Sequence, residues 1–303
     1  MIRDFRFEQG SYDAAISYER TAIKRFEDEC RRTPDNGDYR PQFVFDLASK
    51  HLHLLLRRYC RGDSVNELKQ HLLLHIAWWE ESERLGLSVW SSKIQVTRHA
   101  WSLNLDFYIR CFWLVGLALT LEIDESDWQR LIVLLGNEGE DELLDRVIAT
   151  RQPERKIGVS LCHPKQYRDL LATVQSPRDQ QSALLAEYVG SWYAKFEKPP
   201  KKGLSRMTNL HERPYWYDFD QYDGAYFGFW CIEAVAVVRA FDIDDSLCLG
   251  LLNYPGDFLR PNGPSTHLER SPQSSQDDVS NNSPAQKQSS LASKIRGVLF
   301  AQK

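Results

Sequence analysis

Residues 101–121 read WSLNLDFYIRCFWLVGLALTL, and the reading of this stretch decides the fold. From Trp101 to Leu121 apolar residues fall on almost every side of a 3.6-residue period, with Asp106 and Arg110 the only charges. A helix that is apolar all round lies inside a protein or inside a membrane. The uninterrupted apolar run Cys111–Leu119 is about half the length of a membrane span. A buried central helix is therefore expected, with other helices laying one apolar stripe each against it.

The flanking sequence supplies those helices. Ser11–Arg32 sets Ala15, Ile16, Ile23 and Phe26 among charges and ends at Pro34-Asp35-Asn36-Gly37. Pro41–Arg61 carries Phe43, Leu47, Leu54, Leu55 and Tyr59 and stops at Gly62. Ser64-Val65-Asn66-Glu67 has capping-box spacing and opens a helix through Leu72, Ile76 and Trp79 to Gly86. Asp124–Leu135, Asp141–Thr150 and Lys165–Val174 read as shorter helices. Pro177 suits the first turn of a helix reaching Phe196. Lys198–Gly203 is not helical, and the chain to Tyr222 is irregular and aromatic. Tyr226–Phe241 reads as a second strongly apolar helix, followed by a short turn in Asp245–Leu252. No segment alternates convincingly at period two, and only Val89–Val96 leaves room for a small β piece.

The expected class is all-α, a multi-helix bundle with a disordered C-terminal tail. Residues 1–150 form an N-terminal helical domain, 151–260 a C-terminal one, and 261–303 the tail. The segment 261–289 is rich in Ser, Gln, Asn and Pro and has too little apolar surface to offset its ordering entropy. After it, Leu291–Phe300 has the spacing of a short amphipathic helix. An internal echo suggests two related halves. Phe112-Trp113 leads to Ile123-Asp124-Glu125-Ser126, and Phe229-Trp230 leads to Ile243-Asp244-Asp245-Ser246. Each acidic connector suits the cap of a following helix.

Composition narrows the function. Net charge is −4 with a pI near 6.1, which is not the basic footprint of a nucleic-acid binder. The six cysteines are scattered without a C-x-x-C pair and read as reduced. Met1–Arg6 has no apolar core of a signal peptide, so a cytoplasmic location is expected, with no membrane association. Glycine-rich phosphate loops and nucleophile elbows are absent. Glu67, His71 and His75 share one helix face at metal-ligand spacing, yet two histidines beside Leu72 and Leu74 read better as a polar stripe. Neither a metal nor a cofactor is expected. Cys162-His163 are sequence neighbours, which is not how a catalytic pair meets. Of Trp78-Trp79, one ring packs inward.

Charge segregation is the clearest signal. Residues 121–145 hold nine acids (Glu122, Asp124, Glu125, Asp127, Glu138, Glu140, Asp141, Glu142 and Asp145) against the single base Arg130. Asp244 and Asp245 belong to a second acidic stretch, residues 215–260, while residues 151–214 are basic. These eleven carboxylates are the candidate partner-binding residues. Fixed negative charge steers and aligns a basic partner. Nucleases have basic grooves that neutralise phosphates, and an acidic protein can occupy such a groove.

Tyr226-Phe227-Gly228-Phe229-Trp230-Cys231-Ile232-Glu233-Ala234, with Ile243-Asp244-Asp245-Ser246 and Tyr254-Pro255-Gly256-Asp257-Phe258, resembles the C-terminal domain of the PoNi-type immunity proteins. Glu67–Leu87 and Trp101–Leu121 are similar to the N-terminal domain of that family. The resemblance spans roughly residues 10–260. It implies an all-helical cytoplasmic antidote that binds a polymorphic nuclease toxin, often one delivered by type VI secretion, and that has no catalytic residues. Gly228 and Ala234 would allow close helix packing, and Glu233 would satisfy a buried partner. Two other readings stay open. One is an adaptor or chaperone for a secreted effector. The other is a ribonuclease, because Arg206 and His211 have the R-x4-H spacing that resembles HEPN ribonucleases, although Met207 departs from that motif. A homodimer is left open.

Overall fold

The computed structural model describes residues 1–32, 37–197, 214–217, 219 and 225–268. It is all-α, with no strand among the described residues. The helices are α1 Gln9–Arg32, α2 Arg40–Arg61, α3 Lys69–Gly86, α4 Ser92–His99, α5 Leu105–Thr120, α6 Glu125–Leu135, α7 Glu142–Ala149, α8 Pro164–Gln175, α9 Arg178–Lys195 and α10 Ile232–Phe241. Among the described residues, no helix is long and apolar enough to cross a membrane.

α5 is the central helix. Every residue in it except Asp106, Arg110 and Leu119 is buried. Asn104 starts it, accepting the Phe107 N–H at 3.1 Å on its side-chain oxygen. That cap places Trp101–Leu103 in a turn, so the helix begins four residues later than the apolar pattern implies. α10 lies against α5. A Cβ on Gly116 would meet the Ala236 Cβ at 2.9 Å and the Ile232 carbonyl at 3.2 Å. Farther along, Arg239 of α10 reaches the Leu119 carbonyl at 3.5 Å. The two contact pairs advance together, so the helices run in the same direction where they touch. Gly116→Ala should therefore cost about 1–3 kcal/mol by overpacking, despite a helix-propensity gain of about 1 kcal/mol. A lower urea midpoint would register it.

One core of buried side chains runs from Tyr12 to Phe258 and unites both parts of the chain. The N-terminal segment is sewn to the C-terminal one. Arg3 pairs with Asp257 at 2.5 Å, and the Tyr226 hydroxyl donates to Asp4. Arg57 of α2 pairs with Glu19 of α1 at 2.6 Å and donates to the Tyr226 carbonyl at 3.0 Å. None of the six cysteines is paired.

Several sequence expectations shift for local reasons. α10 begins at Ile232 because Gly228 takes φ 98° and the Cys231 N–H pairs with the Asn253 carbonyl at 2.8 Å. Tyr226–Trp230 is thus extended, and its aromatic rings face the core from a non-helical strip. Ser64 makes no side-chain cap; Glu67 pairs with Arg58 at 2.7 Å instead, and a 3-10 turn precedes α3. Val89–Val96 holds no β piece, since Ser91 caps α4 there. Pro177 sits one residue before the first turn of α9. Residues 261–268, expected in the tail, are fixed: Ser265 and Thr266 donate to Asp257, and His267 meets the Tyr59 hydroxyl at 3.1 Å. The remaining tail, including Leu291–Phe300, lies outside the described residues, as do Arg206 and His211.

Candidate functional site

The acidic residues divide into three environments. The first is the corner where α5 turns into α6. Glu122 takes φ 49°, a left-handed conformation that ends α5 and turns the chain outward. Its carboxylate meets Arg239 at 2.6 Å, and its carbonyl accepts from Lys69 at 2.7 Å. Asp124 caps α6, accepting the Asp127 N–H at 2.9 Å and the Ser126 hydroxyl at 2.9 Å. Those donors hold its carboxyl below the usual range, and Gln129 does the same for Glu125. Arg151 reaches Glu125 at 3.2 Å. Asp127 is half-buried and paired with Arg130, itself bound to Glu80.

The end of α10 has the same construction. Asp242 takes φ 54°, and Asp244 accepts the Ser246 N–H at 3.0 Å and the Ser246 hydroxyl at 2.9 Å. That backbone donor again holds the carboxyl low. Ile123 and Ile243 each donate back into the last turn of their helix, to Ala118 and Val238. Because α5 and α10 run side by side, their acidic ends open on one cavity of about 420 Å³ that both Glu122 and Asp242 line. Glu122 and Asp242 thus meet across this cavity, and Asp124, Glu125 and Asp244, close to them in the chain, are also exposed. Sequence reasoning missed Asp242, although the echo aligns it with Glu122.

The second environment is the α6–α7 loop, roughly 16 Å away along the eleven residues of α6. Glu138 and Glu140 are exposed there, and Glu138 accepts the Lys156 N–H at 2.8 Å. Glu142 is half-buried against Arg146 and Gln175.

The third environment is the interior, and it removes three residues from the expected surface. Asp141 is fully buried: it caps α7 through the Leu143 and Leu144 N–H groups and accepts from the Tyr108 hydroxyl at 3.0 Å and the Cys162 N–H at 2.8 Å. Asp145 is fully buried and pairs with Arg155 at 2.6 Å, while the Gly139, Asp141 and Gly158 N–H groups donate to its other oxygen. Burial raises its pKa against the pull of Arg155. Asp245 is buried against the Tyr254 hydroxyl and Arg260. These three carboxylates stabilise connectors and present no charge to a partner.

The other motifs find structural work. His75 is buried with Nδ1 on the Ala48 carbonyl at 2.7 Å, and His71 lies beside Arg58. Burial lowers the pKa of His51, His71 and His75 to about 4, 4 and 3. No group of three or more His, Cys, Asp or Glu is placed to hold a metal among the described residues. His163 is tied to the Trp101 carbonyl at 2.7 Å and Cys162 to the Glu140 carbonyl at 3.4 Å. Trp79 is buried and Trp78 half-buried. Glu233 is buried in the core, where the Tyr167 hydroxyl donates to Oε1 at 3.1 Å. Its Oε2 has no full hydrogen bond, although the Trp113 and Trp192 indoles approach the carboxyl.

Residues 3–133 match the family described as PoNe immunity protein (PoNi), N-terminal, and residues 139–258 match PoNe immunity proteins (PoNi), C-terminal. Among solved structures, the chain is similar to protein PA2201 from Pseudomonas aeruginosa. The TM-score is 0.64 at 20% identity, covering 86% of this chain and 90% of that one. At that identity the likeness concerns the fold. No curated protein matches the sequence.

Proposed function

The chain belongs to the PoNe immunity proteins, and from that premise we propose that it neutralises a cognate nuclease toxin by binding it through the acidic end shared by α5 and α10. The observation that carries this reading is that Glu122 and Asp242, from distant parts of the chain, line one cavity beside Lys69 and Arg239, with Asp124, Glu125 and Asp244 exposed within three residues of them in the chain. Exposed carboxylates pinned on helix caps keep their geometry, so their field is preorganised for a basic surface. A nuclease carries such a surface where it grips phosphates. Occupation of that groove requires no bond to be made or broken, so the protein acts as a stoichiometric antidote and not as an enzyme. Cytoplasmic action against a toxin delivered by type VI secretion completes this reading.

Charge reversal tests it. The quadruple variant Glu122→Lys, Asp124→Lys, Glu125→Lys, Asp244→Lys should bind the toxin about 10–100-fold more weakly at 50 mM salt. The deficit should shrink at 0.5 M salt, where the screening length is only about 4 Å. Reversal of Glu138 and Glu140 serves as a comparison on the other loop. Unchanged affinity and salt dependence in the quadruple variant would refute the acidic-end interface. Co-expression with the toxin separates an antidote from an adaptor: an adaptor binds yet leaves growth unprotected.

A further inference from the structure

We propose that the cavity between α2, α4 and the start of α5 is a binding site for a small oxyanion, a phosphate or carboxylate group held between the guanidinium groups of Arg98 and Arg110. The cavity measures about 330 Å³. Its apolar wall is Phe45, and both cations lie over that ring, Arg98 at 5.8 Å and Arg110 at 4.8 Å from its centroid. Arg98 also stacks on Trp90 at 3.4 Å.

What marks these two arginines is that neither is ion-paired at contact distance; Glu83 acts on Arg98, and Asp46 and Asp106 on Arg110, only from farther away. Several other shielded arginines are matched to carboxylates: Arg57 to Glu19, Arg58 to Asp63, Arg155 to Asp145 and Arg260 to Asp245. Among the described residues neither Arg98 nor Arg110 has a carboxylate oxygen within 4 Å, although both line the same cavity. Arg110 donates to the Ser49 hydroxyl at 2.7 Å. Arg98 Nη1 is shielded from solvent with no hydrogen-bond partner. A shielded cation without a partner is costly, and an oxyanion supplies both the charge and the acceptor atoms.

The other polar groups of the cavity are occupied. His99 faces Glu83 at 3.2 Å, Gln42 donates to Asp46 at 2.9 Å, and Asn104 caps α5. Asp106 is the one carboxylate lining the cavity, and it accepts the Tyr215 N–H at 2.9 Å. Burial pushes its carboxyl up to about 7, so near neutrality much of the opposing charge is removed by a proton. Space suits a hydrated small anion, since a water takes about 30 Å³ in the liquid.

Calorimetric titration of the full chain with sodium phosphate, and separately with sodium acetate, at constant ionic strength set by chloride, tests the site. Saturable binding of at least one of the two is expected, and the preferred anion identifies the class. Arg98→Gln and Arg110→Gln should each weaken it by about tenfold or more. Asp106→Asn should tighten it several-fold at pH 7.5, because it removes the opposing charge. This variant keeps the test decisive if an arginine variant fails to fold. No saturable binding of either anion, equal binding by wild type and arginine variants, or an unchanged affinity in Asp106→Asn would each overturn the assignment. The readout does not involve the toxin, so its failure leaves the antidote reading untouched.

Discussion

Arg155→Met should destabilise the fold by about 3–5 kcal/mol and lower the melting temperature by about 8–15 °C. The reason lies in the geometry of Asp145. Its side chain is fully shielded from solvent, and that of Arg155 nearly so. One carboxylate oxygen faces the guanidinium, and the other collects three backbone N–H groups from Gly139, Asp141 and Gly158. Arg155 also donates to the Gly136 carbonyl at 3.0 Å. Removal of the cation strands a buried anion and frees both connectors around α7. Protonation of Asp145 softens the blow, since burial already raises its pKa. Asp145→Asn alone leaves the arginine stranded, and the double replacement by apolar residues should recover part of the loss. Thermal unfolding of the two single variants and the double variant gives the coupling directly. Single variants within 1 kcal/mol of wild type would contradict this account.

Glu233 should make stability depend on pH in the opposite sense to ordinary acid denaturation. Burial raises its carboxyl from 4.5 to about 7, opposed by weaker hydrogen bonds from its own backbone, Tyr167 and the two indoles. In the unfolded chain the proton leaves near pH 4.5, while in the folded protein it stays until about pH 7. The folded form therefore loses stability as pH rises through that window, by about 3 kcal/mol in all. His51, His71 and His75 act the other way: their pKa values are lowered by burial, so stability falls as pH drops below 6.5. Glu233→Gln isolates the carboxyl. The variant should match wild type near pH 5 and exceed it by up to about 3 kcal/mol at pH 8, as measured in urea. A constant difference between pH 5 and 8 would show that Glu233 does not titrate in this range.

The helices were legible because their grammar is local. The apolar run of α5 and the side-chain caps at Asp124 and Asp141 sit within a few residues of what they explain. The start of α10 was not legible, since aromatic residues suit a buried helix as well as a buried extended strip, and the choice falls to Gly228 and the distant Asn253. The acidic residues show the same division. Charge is visible in a sequence, but burial is not. Asp145 and Glu140 look alike until Arg155 folds onto one of them, and Asp245 and Asp244 are neighbours with opposite fates. Gathering of Glu122 with Asp242 depends on the packing of α10 along α5 around Gly116. The two arginines without a contact ion pair left no mark in the sequence, because pairing is a property of space.

The lateral union of α5 and α10 also sets a clock. More than a hundred residues separate Thr120 from Ile232, and synthesis at about 5–20 residues per second spends roughly 6–20 s on them. Throughout that interval the nascent α5 has emerged without the helix that covers Gly116 and its neighbours. Chains terminated before Ile232 keep that apolar surface bare and should be captured by chaperones or aggregate. The core around Gly116 is thus completed only when the distal portion of the chain is translated.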